Sequence, residues 1–200
     1  MGRKTQITKD TMLQAAYEIL KDDGYAVVNI KTIAAKVGCS TQPISWQFGN
    51  MQGLRKELYM YASNKISEDM KDRILGKKAM EVFFETGKKY ISNAYEYPNV
   101  FRFLYVDDPG NIAEGQSGLA ELLGDDFVKE MLVKETGLTK DIVDKIVADI
   151  VIYTHGLATL LLWDEIKMEK EAVYEMIYYQ AVRCFSQYGI DVSEYKYLLD

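Results

Sequence analysis

A chain of 200 residues that is 48% hydrophobic and 27% charged, with 3 prolines, is long enough to bury a core and excludes a disordered or collagen-like composition. Its formal charge of −6 hides an asymmetry: residues 1–60 carry 8 basic and 5 acidic side chains, whereas the remaining 140 carry 16 and 25, a balance of +3 against −9. No apolar run reaches the roughly 18 to 20 residues of a membrane span, and the charged start Met-Gly-Arg-Lys-Thr lacks the apolar core of a signal peptide, so a soluble cytoplasmic protein with no membrane partner is expected.

Helical periodicity runs nearly end to end. Thr8 is placed to cap a first helix whose Met12, Leu13, Ala16, Ile19 and Leu20 recur at i, i+3/i+4, i+7, and Gly24 supplies its stop. Asn29 caps a short second helix, Ile30–Val37, with Ile33, Ala34 and Val37 facing inward. Gly38 ends it and Ser40 starts a third that runs to Phe48. A fourth opens at Asn50 and continues past Leu54, Leu58, Tyr61 and Ile66 towards Leu75. Longer helices follow over Lys78–Tyr95, Asn99–Val106, Ser117–Thr136, Lys140–Ile166 and Glu169–Gln187, with a turn-rich stretch at Asp107–Gln116. The expected fold is all-α with about nine helices, a small N-terminal unit and a larger C-terminal bundle.

The informative segment is Ile30–Phe48, IKTIAAKVGCSTQPISWQF. Two short helices separated only by Gly38-Cys39-Ser40 must meet at a sharp angle, which is the helix-turn-helix unit whose second helix enters the DNA major groove. Ala34 has to be small beneath the crossing helix, and Gly38 permits a positive φ. Ile33, Val37, Cys39 and Ile44 fill the wedge. Pro43 removes one amide, so Ser40 is expected to cap through Gln42 instead.

Residues 8–60 resemble the N-terminal domain of TetR-family transcriptional regulators. The match lies in a first helix ending in Asp23-Gly24-Tyr25, the helix Ile30–Val37, the run Val37-Gly38-Cys39-Ser40, a recognition helix ending in Phe48, and a polar break before Leu54. The rest of the chain shares only helicity and length with that family. The resemblance divides the chain into a DNA-binding domain, 1–50, and an effector-binding and dimerisation domain, 51–200. It implies a homodimeric regulator, most simply a repressor, that leaves a pseudo-palindromic operator on double-stranded DNA when a small-molecule effector binds.

Departures from the family are as specific as the matches. Ser45 and Gln47, flanking Trp46, stand where a tyrosine and a His or Tyr are usual, and Met51 replaces a phosphate-contacting lysine. Helical spacing turns Ile44 and Phe48 inward and leaves Thr41, Gln42, Ser45 and Trp46 for a groove. Gln42 suits adenine, and Thr41 or Trp46 a thymine methyl. Trp46 has a second reading, as packing between the third and fourth helices. Lys31, Thr32, Ser40, Gln47, Arg55, Lys56 and the Arg3-Lys4 arm complete the candidate DNA contacts.

In the C-terminal part, Ile142-Val143, Ile146-Val147, Ile150-Val151 and Leu157–Leu162 are apolar beyond one face, as are Val173, Ile177, Ala181 and Phe185 of the last helix. A helix apolar on two sides is covered on both, and the resemblance makes these two helices the dimer interface. It also places Phe83, Phe84, Tyr90, Phe101, Phe103, Tyr105 and Trp163 on helices around an effector pocket. Ordinary core packing is the competing reading for each of them. His155, the sole histidine, is read either as a polar group of that pocket or as a buried hydrogen-bonding residue. A small lipophilic or aromatic effector would suit such walls.

Catalysis finds no support in the sequence. Cys39, Cys184 and His155 are too scattered for a zinc site, and no phosphate-binding, dinucleotide or hydrolase motif occurs. No cofactor or metal is expected. A helical sensor or scaffold dimer that has lost DNA binding, prompted by Ser45 and Met51, is the rival reading.

Overall fold

The computed structural model describes residues 7–107, 123, 126–163 and 165–199. The Arg3-Lys4 arm, the stretch after Asp107 to Gln116 and the start of the helix expected from Ser117 lie outside the described residues. The fold is all-α, with ten α-helices and two 3-10 segments and no strand among the described residues.

The chain forms two compact units, Met1–Ser67 with Tyr97–Ser117, and Glu68–Glu96 with Gly118–Asp200. The first contains α1 (Lys9–Asp23), a 3-10 turn (Tyr25–Val27), α2 (Ile30–Val37), α3 (Thr41–Phe48), α4 (Met51–Ile66) and α7 (Pro98–Tyr105). The division expected at residue 50 therefore falls between α3 and α4, inside this unit. Leu54 and Leu58 of α4 are fully buried with Leu20, Ile33 and Ile44, so α4 belongs to the same core. Val100, Phe103 and Leu104 of α7 complete that core. α7 is pinned to the end of α1 by Asn99 Nδ2, which donates to Lys21 O at 3.0 Å.

Capping chemistry sets the helix starts. Thr8 accepts from Thr11 N, as its position predicts. Asn29 accepts from Lys31 N and Thr32 N, while Thr32 Oγ1 accepts from Asn29 N at 3.0 Å, a reciprocal capping box. Ser40 is the N-cap residue of α3 but makes no side-chain cap bond, in contrast to the expected bond to Gln42. Pro43 occupies the third helical position, where the usual amide partner would be.

The second unit holds α5 (Met70–Ile74), α6 (Ala79–Glu96), α8 (Asp126–Thr136), α9 (Lys140–Leu162), α10 (Lys170–Ser186) and a closing 3-10 segment (Ser193–Leu199). The single helix expected from Asn50 towards Leu75 is two, α4 and α5. It stops where Ser67 turns its hydroxyl back onto Ser63 O at 2.7 Å. α9 ends at Leu162, short of the expected Ile166. By length and composition α9 is apolar enough to cross a membrane, but it packs on α6, α8 and α10, and Val143, Ile146 and Ala158 are buried.

Candidate functional site: a nucleic-acid interface and an apolar cavity

The helix-turn-helix is built by backbone accounting at its corner. Gly38 adopts φ 76°, and the amides of Gly38 and Cys39 both donate to Ala34 O at 2.9 Å, closing the C-terminus of α2. Ile33, Ala34 and Ile44 fill the wedge, with Val37 and Cys39 packed beside them. Phe48 and Ile44 are the buried positions of α3, so its opposite face is exposed. Thr41, Gln42, Trp46 and Gln47 are exposed there and Ser45 is half-buried. Trp46 is 81% exposed, which excludes packing between α3 and α4 within this protomer.

A second device at this corner has no sequence motif. Asn50 caps α4 by accepting from Gly53 N at 2.9 Å. A β-carbon on Gly53 would stand 2.2 Å from Phe48 O, so the first turn of α4 approaches the end of α3 in a way that only glycine allows. The only hint in the sequence is a glycine placed inside the first turn of a helix.

Not every residue expected at the interface is presented by it. Lys31 and Lys56 are exposed and form no ion pair among the described residues. Thr32 spends its hydroxyl on the capping box and on Val27 O at 2.8 Å. Arg55 lies over the Tyr25 ring at 5.0 Å and donates to Asp107 O at 3.2 Å, so it ties α4 to the 3-10 turn after α1 and to the segment just past α7. Two further cations are committed within the unit, Lys9 to Glu57 at 2.7 Å and Lys36 to Glu18 at 3.0 Å. The Gln14 amide, and then the Lys36 ammonium, hold the Glu18 carboxyl below the usual carboxylate range.

In the second unit, α6, α8, α9 and α10 enclose a cavity of about 70 Å³. Phe83, Phe84 and Tyr90 line it as expected, together with Val147, Ile150 and Ile177. Its polar wall groups are already satisfied: Thr86 donates to Val82 O and Thr154 to Ile150 O, while Lys129 pairs with Asp144 at 2.9 Å. His155 is half-buried behind the wall, its Nδ1 hydrogen-bonded to Tyr90 Oη at 2.7 Å, and burial lowers its pKa.

The other aromatic residues expected at the pocket are elsewhere. Phe103 and Tyr105 pack in or against the core of the first unit, and buried Phe101 lies 4.8 Å from the Tyr105 ring. Phe101 and Phe103 are buried, in the first unit rather than at the cavity. Trp163 ends α9 and is 58% exposed, outside the cavity.

The corner, its exposed third helix and the buried wedge have counterparts in known proteins. Residues 12–58 match the model of the bacterial regulatory proteins of the tetR family. Over those residues the chain is similar to the tetR-family proteins. That family consists of bacterial transcriptional regulators, and the match spans the helix-turn-helix. Solved structures agree in fold. A TetR-like transcriptional regulator from Rhodococcus sp. superposes with a TM-score of 0.63 at 18% identity, covering 88% of this chain and 94% of that one. A transcriptional regulator from Pseudomonas aeruginosa gives 0.66 at 14%, covering 88% and 89%. NalD, the secondary repressor of the MexAB-OprM multidrug efflux pump in Pseudomonas aeruginosa, gives 0.58 at 15%, covering 88% and 94%. No curated protein sequence matches the chain. In this chain α3 carries no charged side chain, and its Trp46 is 81% exposed.

Proposed function

We propose that this protein is a tetR-family regulator, a cytoplasmic homodimeric repressor that leaves its operator when a small lipophilic or aromatic effector enters the cavity beside Phe83, Phe84 and Tyr90. The cavity carries this reading: its walls are apolar and their polar groups are internally satisfied, so a neutral molecule enters without breaking an ion pair. Occupancy would favour a spacing of the two recognition helices that no longer matches half-sites one turn apart. Moving the population from mostly bound to mostly released needs a preference of about 5.5 kcal/mol.

Support for the homodimer comes from the outer surface of α9 and α10. Along α9 the exposed positions change character, from Asp141, Lys145 and Asp149 to Ile152, Gly156, Leu160 and Trp163. Tyr179 of α10 adds a further exposed aromatic ring. A second copy covering this stripe by two-fold symmetry would pair two helix-turn-helix units for a pseudo-palindromic site. DNA contacts would come from Thr41, Gln42, Ser45, Trp46 and Gln47, with Lys31, Lys56 and the Ser40 end of α3 on phosphates.

Filling the cavity separates its role from folding. Gly87 lines it, and a β-carbon there would meet only Ile177 Cδ1, at 3.4 Å. Gly87→Val should keep operator affinity but lose release by whichever member of a panel of neutral aromatic compounds frees the wild-type protein. Unchanged release would place the effector elsewhere. A folded dimer that binds no DNA even at low salt would favour the sensor-or-scaffold reading suggested by Ser45 and Met51.

A further inference from the structure

The 18 residues from Val37 to Leu54 contain no Lys, Arg, Asp or Glu, in a chain that is 27% charged. This stretch includes all of α3, the helix that a helix-turn-helix presents to the major groove. Its exposed side chains are Thr41, Gln42, Trp46 and Gln47. Neither Gln42 nor Gln47 makes a side-chain hydrogen bond among the described residues, so both amides keep a donor and an acceptor for another surface.

The major-groove code gives this set of side chains a preferred partner. Guanine is read mainly by paired donors of Arg or Lys on O6 and N7, and cytosine by an acceptor of Asp or Glu on its amino group. α3 has none of these. Adenine offers N6 and N7 to the amide of Gln or Asn, and thymine offers a methyl group to apolar or Thr side chains. Lys31 and Lys56 sit exposed on α2 and α4, outside α3, where a lysine reaching a phosphate would carry no sequence information.

We propose that each half-site of the operator is centred on A·T base pairs, with Gln42 on an adenine edge and Trp46 against a thymine methyl. The proposal rests on α3 being the recognition helix. From Gln42 to Trp46 the helix rises roughly 6 Å, so direct reading spans two to three consecutive base pairs. The −9 balance of residues 61–200 repels DNA at long range and changes affinity for all sequences alike.

The test is selection from a random double-stranded DNA pool with the full-length protein at fixed salt. The expected result is a two-fold symmetric motif whose half-sites share an invariant A·T core. On that winner, 7-deazaadenine at the core should weaken wild-type binding about tenfold and leave Gln42→Ala unaffected. Replacing the core thymines by uracil, which removes only the methyl groups, should weaken wild type about fivefold and Trp46→Ala much less. A motif centred on invariant G·C pairs overturns the proposal. So does steeply salt-dependent binding without enrichment, which would leave DNA binding intact and remove only the base-reading face. No binding at low salt by a folded protein would remove the underlying DNA-binding reading as well.

Discussion

At the α3–α4 corner a β-carbon on Gly53 would stand 2.2 Å from Phe48 O, whereas one on Gly156, midway along α9, would meet nothing within 4 Å. Both glycines sit inside helices, where glycine costs about 1 kcal/mol relative to alanine. In the first region the cost is answered within the protomer, because the close approach fixes where the recognition helix ends. In the second it is not answered there, and the surrounding Ile152, Leu160 and Trp163 are exposed as well. The difference separates a surface that is finished when one chain folds from the surface that, in the proposed dimer, a second chain would cover.

The sharpest way to break this comparison is Gly53→Ala. Displacing Phe48 from the core corner should cost about 2–4 kcal/mol of stability in a thermal melt and reduce operator affinity more than tenfold. A variant that melts and binds like wild type would mean the corner can relax. Next in size, Ile152→Asp should raise the dimer dissociation constant by about a hundredfold in sedimentation equilibrium, since it buries an unpaired charge in the proposed interface. An unchanged constant would leave the α9 stripe solvent-facing.

A smaller effect carries a sign that decides the matter directly. If nothing covers Gly156, Gly156→Ala should stabilise the protein by about 1 kcal/mol. If a second helix crosses there, the added methyl group should instead weaken the dimer. Melting temperature as a function of protein concentration separates the two. The smallest expected effect is on pH. Burial lowers the His155 pKa from its ordinary 6.5, so below that value the unfolded chain takes up the proton more readily than the folded one. Stability contributed by neutral His155 is present above about pH 6.5 and is lost as pH falls towards the folded-state pKa. His155→Gln should flatten that part of the stability profile, and an unchanged profile would assign the proton to another group.

Local chemistry was legible in the sequence where a residue's own neighbours decide the outcome. Thr8 and Asn29 start helices where their side chains predict, Gly38 stops one where its lack of a β-carbon predicts, and Ile30–Val37 has the bounds read from them. Periodicity finds a helix at Asn99–Val106 but does not say which core that helix will join. α7 joins the first unit, so its aromatic residues were assigned to a cavity they do not line. Gly53 was invisible for a related reason: its constraint comes from an oxygen five residues earlier across a turn, and no pattern of hydrophobicity records it. The stacking of Arg55 on Tyr25 depends on the tertiary arrangement and leaves no pattern in the sequence.

The split make-up of the first unit has a practical consequence for anyone building hybrid regulators from this gene. A cassette cut after α4 would carry the whole recognition surface yet leave behind Val100, Phe103 and Leu104, which are at most 1% exposed in its core. Such a fragment would be expressed with a hydrophobic gap along α1 and α4. A transplant that keeps its reading head intact must therefore carry Tyr97–Tyr105 as a second insert, and the natural unit of exchange is two pieces of coding sequence rather than one.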